Sequence, residues 1–202
     1  MNSKKWEQRI THRSDMTLGL VHLTKRTEKD SAIDVLVKIL KEKKLKGGKG
    51  FVCGNSPVVC FQDTPIHSIS ENILYEQKTN NGTEGNIRYE PCGLRFSKNQ
   101  IFNAGGRPVI YEQTDVAKEF LRTDQYWRIV SLDLREKGKL IDWTHEREWR
   151  IKGDFSFEWK DVEVLLSKEN SLKNFIEACV ENGIPDVIKE IKGITTLKSN
   201  IF

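Results

Sequence analysis

The sequence lacks the features that mark the commonest metal, redox and membrane proteins. It has four cysteines among 202 residues, and no two of them form a Cys-x-x-Cys pair, so neither a zinc site nor a disulfide framework is predicted. No apolar run reaches the roughly 18 residues of a membrane span. No such run follows the basic start either, so we expect no signal peptide. We therefore expect a cytoplasmic protein without a membrane partner.

Common catalytic and nucleotide-binding motifs are absent as well. No serine lies in Gly-x-Ser-x-Gly, and neither the phosphate loop of nucleotide triphosphatases nor the dinucleotide pattern Gly-x-Gly-x-x-Gly occurs. The four histidines are scattered along the chain, so no metal site is predicted from them. Cys60 lies in an apolar run, which predicts a buried and inert thiol.

The composition indicates a globular protein with a substantial core. Charged residues make up 31% of the chain, but nine Phe and five Trp accompany them. The net charge of +4 is compatible with an anionic ligand or nucleic acid. From the length we predict a single domain at 18–202, preceded by an irregular N-terminal arm at 1–17.

The hydrophobic pattern predicts many short strands, with helices inserted early and late. The predicted strands are near 18–24, 56–63, 92–96, 108–111, 126–133, 139–151, 162–166 and 194–197. The predicted helices are near 32–43, 69–77, 115–123, 171–182 and 185–192. No regular strand–helix–strand alternation is visible, so the predicted class is α+β with a mainly antiparallel or split sheet.

Residues 142–151 (Asp-Trp-Thr-His-Glu-Arg-Glu-Trp-Arg-Ile) carry the densest chemistry in the chain. If this stretch is a strand, its side chains alternate between two faces. Glu146, Glu148 and Arg150 then share one face, and two tryptophans anchor the other. This pattern fits a charged strand with ion pairs or a catalytic site. With the aspartate that opens the stretch, it also fits a Mg²⁺-dependent nuclease.

Three further places carry polar groups that suit ligand binding. His22 and Thr24 lie two residues apart in an apolar strand, where a buried, hydrogen-bonded histidine is the structural alternative. Arg88-Tyr89 follows a predicted loop, and its arginine can hold a phosphate with two hydrogen bonds or form a surface ion pair. Arg107 and Tyr111 follow a glycine pair, which fits a ring-binding wall or a simple hairpin.

Taken in order, these pieces resemble AbiGi-like abortive-infection proteins, over about residues 18–151. The opening is Val-His-Leu-Thr on a strand, a helix, and then Val-Val-Cys-Phe-Gln-Asp-Thr-Pro-Ile. The centre is Arg-Tyr-Glu-Pro-Cys-Gly-Leu-Arg-Phe followed by Gly-Arg-Pro-Val-Ile-Tyr, and the last motif is Glu-Arg-Glu-Trp-Arg. The quoted motifs occupy residues 21–24, 58–66, 88–96, 106–111 and 146–150.

The arrangement also resembles, more loosely, an ADP-ribosyltransferase of the DarT kind. This resemblance implies a split, mainly antiparallel sheet with flanking helices and NAD as a substrate. It implies Glu148 as the catalytic acid and Glu146 as its helper, in the Glu-x-Glu spacing of many such transferases. The implied NAD contacts are His22, Thr24, Arg88, Tyr89, Arg107 and Tyr111.

The function that the resemblance implies is ADP-ribosylation of nucleic acid or protein in a bacterial phage-defence or toxin–antitoxin system. A cognate toxin or antitoxin would be the partner. The Asn- and Arg-rich substrate loop of DarT and the Ser-Thr-Ser element of arginine-modifying toxins are not present. The alternative is therefore a catalytically inactive binding module of the same fold that acts as a defence sensor, antitoxin or inhibitor.

Overall fold

A computed structural model describes residues 2–50, 52–79, 90–167 and 169–197 of the chain. The helices are α1 (Ser3–Thr11), α2 (Ala32–Glu42), α3 (Ile66–Thr79), α4 (Lys98–Asn103), α5 (Thr114–Phe120), α6 (Glu169–Glu181) and α7 (Val187–Glu190). The strands are β1 (Gly19–Leu23), β2 (Lys44–Leu45), β3 (Val58–Gln62), β4 (Gly93–Ser97), β5 (Arg107–Pro108), β6 (Ile110–Glu112), β7 (Ile129–Ser131), β8 (Glu148–Lys152), β9 (Phe155–Ser156), β10 (Val162–Leu166) and β11 (Gly193–Thr196). Short 3-10 helices occupy Thr123–Arg128, Thr144–Glu146 and Trp159–Asp161.

The chain forms two compact units. Unit 1 consists of Met1–Lys44, Thr64–Ser97 and Phe157–Phe202, and unit 2 consists of Leu45–Asp63 and Lys98–Ser156. No helix in the described ranges is both long and apolar enough to cross a membrane.

Unit 1 is built on four strands in the order β11-β10-β4-β1. β1 is antiparallel to β4, with His22 opposite Leu94, and β4 is antiparallel to β10. Only β10 and β11 run parallel among these pairs. Val21 of β1 and Leu165 of β10 pack with Ile69 and Ile73 of α3, so one face of this sheet forms a helix-covered core.

The helix predicted at 32–43 is confirmed as α2. The Ser31 side chain accepts the N–H of Asp34, and the Asp34 carboxylate accepts the N–H of Ser31, which is a capping box. The buried residues Leu36, Val37 and Leu40 follow the helical period. The helix ends before Lys43, which caps it in a left-handed conformation.

Unit 2 is built on β3-β8-β5, with β8 in the middle. β8 is antiparallel to both neighbours, and Arg150 lies opposite Cys60 of β3 and Arg107 of β5. A separate parallel pair joins β6 to β7. The pairings within each unit are therefore mainly antiparallel and helices accompany both, which confirms the α+β class.

The strand predicted at 139–151 is wrong over its first half, because β8 begins only at Glu148. The Asp142 carboxylate accepts hydrogen bonds from the backbone N–H and the hydroxyl of Thr144 (2.9 and 2.7 Å). Such local bonds compete with a strand, and a 3-10 turn follows. Arg147 then adopts a left-handed conformation with φ 45°, so strand alternation cannot extend back to Glu146.

Two other segments differ from their predicted structure. Residues 3–11, expected to be irregular, form α1, whose first turn is capped by the Asn2 side chain. Residues 126–133, expected to be extended, contain the end of a 3-10 helix before β7 begins. Most of the loop predicted before Arg88 lies outside the described residues.

Gly93 gives a prediction about the strand pair that positions His22. A Cβ at Gly93 would lie 2.3 Å from the His22 carbonyl oxygen and 2.9 Å from the Leu23 Cα, and backbone atoms cannot yield as a flexible side chain does. We expect Gly93→Ala to lower the free energy of unfolding by about 1–3 kcal/mol in urea denaturation. Gly193→Ala in β11 is the control, because a Cβ there meets nothing within 4 Å. Equal effects of the two substitutions would contradict the close approach.

Candidate functional site

The polar face of β8 is built around a buried ion pair between Glu148 and Arg150. The two residues lie two positions apart on the strand, so they share a face, as predicted. The Arg150 guanidinium donates to both carboxylate oxygens (2.7 and 3.2 Å), and the residues are only 8% and 5% exposed. Burial acts to lower the pKa of Arg150, but the hydrogen bonds and charge of Glu148 outweigh it and raise that pKa.

Arg150 also binds the backbone that leads into β7. Its Nη1 donates to the carbonyl oxygens of Trp127 (2.8 Å) and Ile129 (3.2 Å). The guanidinium therefore bridges the Glu148 carboxylate and two main-chain acceptors. This network holds β8 against the β7 segment within unit 2.

Tyr111 of β6 lies directly beside this ion pair. Its hydroxyl accepts the backbone N–H of Glu148 at 2.7 Å. Burial raises the pKa of Tyr111 to about 12, and the negative charges of Glu148 and Glu146 contribute to the rise. The phenol is therefore neutral at pH 7, and both carboxylates lie within electrostatic range of it.

Glu146 reaches this neighbourhood by a route that differs from the prediction. It belongs to the 3-10 turn Thr144–Glu146 and not to the strand, so the expected shared strand face with Glu148 is wrong. The turn places Glu146 close enough to Tyr111 for its charge to act on the phenol. The two glutamates thus meet around Tyr111 through a turn and a strand end.

Two residues of β3 complete the same face. Gln62 lies opposite Glu148, and Cys60 lies opposite Arg150. Directly opposite residues of antiparallel strands project to the same side of the sheet. Cys60 is exposed, so its predicted burial is wrong. Although the residue is exposed, its sulphur lies beside the Glu148–Arg150 pair, where loss of hydration and the charge of Glu148 raise the pKa of Cys60 to about 12. The thiol is therefore protonated at pH 7, and its predicted inertness is unaffected.

The Gln62 amide is buried without a hydrogen-bond partner among the described residues. The residue is 7% exposed, and neither Oε1 nor Nε2 has a hydrogen-bond partner among the described residues. Buried amides are nearly always hydrogen-bonded in native proteins. Gln62 therefore stands out among the polar groups on this face.

Arg107 and Arg128 form a second feature of unit 2. The Arg107 guanidinium donates to the carbonyl oxygens of Phe102 and Gly106 (2.9 and 2.6 Å) and lies over the Phe102 ring. Partial burial lowers the pKa of Arg128, and the positive charge of Arg107 lowers it further. Within the described residues neither guanidinium pairs with a carboxylate. Two neighbouring cations of this kind suit an anionic ligand.

The remaining predicted contacts lie elsewhere. His22, on β1, and Thr24, just after it, belong to unit 1. Thr24 is buried, and its hydroxyl lies within hydrogen-bond distance of the carbonyl oxygens of Cys92 and Ala32. Arg88 and Tyr89 lie outside the described residues. In the ranges that are described, no group of three His, Cys, Asp or Glu side chains is arranged to hold a metal ion.

Comparison with known proteins adds no family. No protein-family model, curated protein or solved structure matches the chain. The resemblance to AbiGi-like and DarT-like proteins therefore stays a prediction.

Gln62 and Arg128 were missed at the level of sequence. Gln62 sits in an apolar run that predicted only a buried strand, and nothing local shows that Glu148 lies opposite it. Arg128 is one of many surface-type basic residues, and its neighbour Arg107 is 21 positions away along the chain. Tertiary structure is what identifies both: the register of β3 against β8 for Gln62, and the hydrogen bond from Arg128 to the Pro108 carbonyl of β5 for Arg128.

The Glu148–Arg150 pair gives a stability prediction. Removing one member leaves the other charge buried without its partner, so Glu148→Ala and Arg150→Ala should each cost about 3–5 kcal/mol of unfolding free energy. The double variant should cost less than the sum, as measured by urea denaturation of all three proteins. The exposed pair Arg122 and Asp124, which has the same two-residue spacing, provides the control, and its disruption should have little effect. If the unfolding cost of the double variant equals the sum of the two single costs, Glu148 and Arg150 do not stabilise each other.

Tyr111 gives a pH prediction. Its pKa is about 12 in the folded protein and near 10.0 when exposed. Folding therefore favours the neutral phenol, and this contribution is complete below pH 10 and is lost as the pH rises towards 12. The unfolding free energy of the wild-type protein should fall more steeply across this window than that of Tyr111→Phe. Denaturation series on both sides of pH 10 test this, and parallel curves would contradict it.

Proposed function

We propose that this protein is an NAD-dependent ADP-ribosyltransferase of a bacterial phage-defence or toxin–antitoxin system. The observation that carries the proposal is the cluster in unit 2, where the Tyr111 hydroxyl accepts the backbone N–H of Glu148 at 2.7 Å and the charges of Glu148 and Glu146 help to raise the pKa of Tyr111. An acid pair beside a neutral aromatic side chain suits cleavage of a glycosidic bond to an aromatic leaving group. The acceptor is nucleic acid or protein.

The reaction breaks the bond between C1′ of the nicotinamide ribose and the ring nitrogen. The bonding electrons leave with nicotinamide, and positive charge develops on the ribose. A carboxylate that hydrogen-bonds the ribose 2′-hydroxyl stabilises this charge, and we give this role to Glu148. Glu146 accepts the proton of the attacking acceptor group as its new bond to C1′ forms.

The ion pair with Arg150 is compatible with this role. An ionised carboxylate offers about four lone-pair positions, and the guanidinium takes one on each oxygen. Positions remain for a substrate hydroxyl. The hydrogen bonds from Arg150 also fix the orientation of the carboxylate, and a fixed group needs no reorganisation as charge develops.

The arginines of unit 2 support an anionic substrate. Arg107 lies opposite Arg150 in the strand register. Arg128 is close enough to Arg107 for the positive charge of Arg107 to lower its pKa. Pyrophosphate is the group in NAD that would neutralise both arginines, because a guanidinium can donate two parallel hydrogen bonds to the oxygens of a phosphate. The proposal therefore assigns Arg107, with Arg128, to the pyrophosphate.

A catalytically inactive binding module is the second candidate, and one observation favours it. Glu148 is buried and held by both of its oxygens, as a purely structural ion pair would be. In this function the protein would serve as a defence sensor, antitoxin or inhibitor that binds its partner without transferring ADP-ribose.

The direct test is incubation with NAD labelled in its adenosine part, together with separate protein, RNA and DNA acceptors. The wild-type protein should release nicotinamide and label one acceptor class. Glu148→Gln, and independently Glu146→Gln, should each slow transfer by about a hundredfold or more. Glu119→Gln on the exposed side of α5 is the control and should keep full activity.

The outcome that excludes the transferase is equally clear. A folded wild-type protein that consumes no NAD with any acceptor, and that never differs from the Glu148 variant, would remove the proposal. Retention of a protein or nucleic-acid partner through native purification would then support the binding module. Near-ultraviolet circular dichroism of each variant separates loss of chemistry from loss of fold.

A further inference from the structure

Gln62, beside the proposed catalytic glutamate, carries an amide that the protein leaves unpaired. It is the last residue of β3 and is only 7% exposed, yet its Oε1 and Nε2 atoms lack partners among the described residues. Burying an amide without hydrogen bonds costs free energy. A group from outside the chain would recover that cost.

The direction of the Gln62 side chain follows from the strand register. Gln62 lies opposite Glu148, and directly opposite residues have Cβ atoms about 5 Å apart on the same face. Cys60, two residues earlier on β3, interacts with both Glu148 and Arg150, which identifies the face. The Gln62 amide therefore leaves the sheet on the side of the carboxylate.

An amide that is unpaired at both atoms selects a particular chemistry. It offers a donor and an acceptor side by side in one plane. Its complement is a planar group with the same two functions in reverse order. A carboxamide has this form, and so has the adenine edge that glutamine recognises in DNA. NAD contains both groups, at its opposite ends.

We propose that Gln62 recognises the carboxamide of the nicotinamide ring through a pair of hydrogen bonds. The inference rests on the proposed function, because it is the position of Glu148 at the nicotinamide ribose that selects this end of NAD over the adenine end. Gln62 would thereby set specificity for NAD over dinucleotides that lack the carboxamide. Tyr111, on the other side of Glu148, would provide the aromatic surface.

The experiment measures binding of four ligands by titration calorimetry. NAD and free nicotinamide carry the carboxamide, ADP-ribose lacks the nicotinamide, and nicotinic acid adenine dinucleotide has a carboxylate in its place. Gln62→Met keeps the length of the side chain and removes both polar atoms. Gln8→Met makes the same change at an exposed position on α1 and is the control.

Gln62→Met should weaken the binding of NAD and of nicotinamide about tenfold or more, because two hydrogen bonds are lost. It should leave the affinity for ADP-ribose unchanged. Without ligand, its melting temperature should equal or exceed that of the wild type, since an unpaired buried amide has been removed. The wild type alone should prefer NAD to nicotinic acid adenine dinucleotide by about tenfold, which tests the inference even if the variant does not fold.

Four results would overturn the inference, and they are distinguishable. If Gln62→Met weakens the binding of NAD and ADP-ribose equally, Gln62 contacts the adenine end of NAD or only stabilises the fold. Normal NAD binding by Gln62→Met, or no preference of the wild type between the two dinucleotides, would overturn the carboxamide assignment while the transferase stands. A wild-type protein that binds neither NAD nor nicotinamide would remove the proposed function as well.

Discussion

The buried ion pair between Glu148 and Arg150 is the interaction on which the chemistry of unit 2 depends. Removing two charges from water costs several kcal/mol for each ion, so such a pair persists only when its geometry is good and its other hydrogen bonds are satisfied. Here two main-chain carbonyls complete the coordination of the guanidinium. Because the pair fixes the start of β8, the backbone N–H of Glu148 can meet the hydroxyl of Tyr111.

Under the proposed function, this constraint suits the two glutamates to unlike roles. Glu148 is anchored in a strand and oriented by a cation, as suits a group that stabilises a developing positive charge. Glu146 belongs to a short turn and is half-buried, and its charge acts on Tyr111. The left-handed backbone at Arg147 separates the two carboxylates into a turn and a strand.

Much of the fold could be predicted because local signals and tertiary structure agree. Ser31 marks the start of α2, and the apolar period of that helix is also its buried face. Prediction failed where a side chain bonds to the nearby backbone. Thr144 donates two hydrogen bonds to the Asp142 carboxylate, and a turn forms in place of the first half of the predicted strand. It also failed for Cys60, whose exposure depends on what covers the sheet rather than on its apolar neighbours.

The candidate site was harder to predict than the fold, and the reason is physical. The Glu148–Arg150 contact needs only a two-residue spacing, so the sequence predicted it. The position of Gln62 needs the register between β3 and β8, which a single sequence does not contain. Yet Gln62 and the two neighbouring arginines are residues of unit 2 that stability alone explains poorly, because each leaves a buried dipole or a repelled charge in place. Proteins tend to retain such locally unfavourable groups where function requires them. All three lie on elements that contact β8, which is a physical argument for the proposed binding of a polar, anionic ligand on this face.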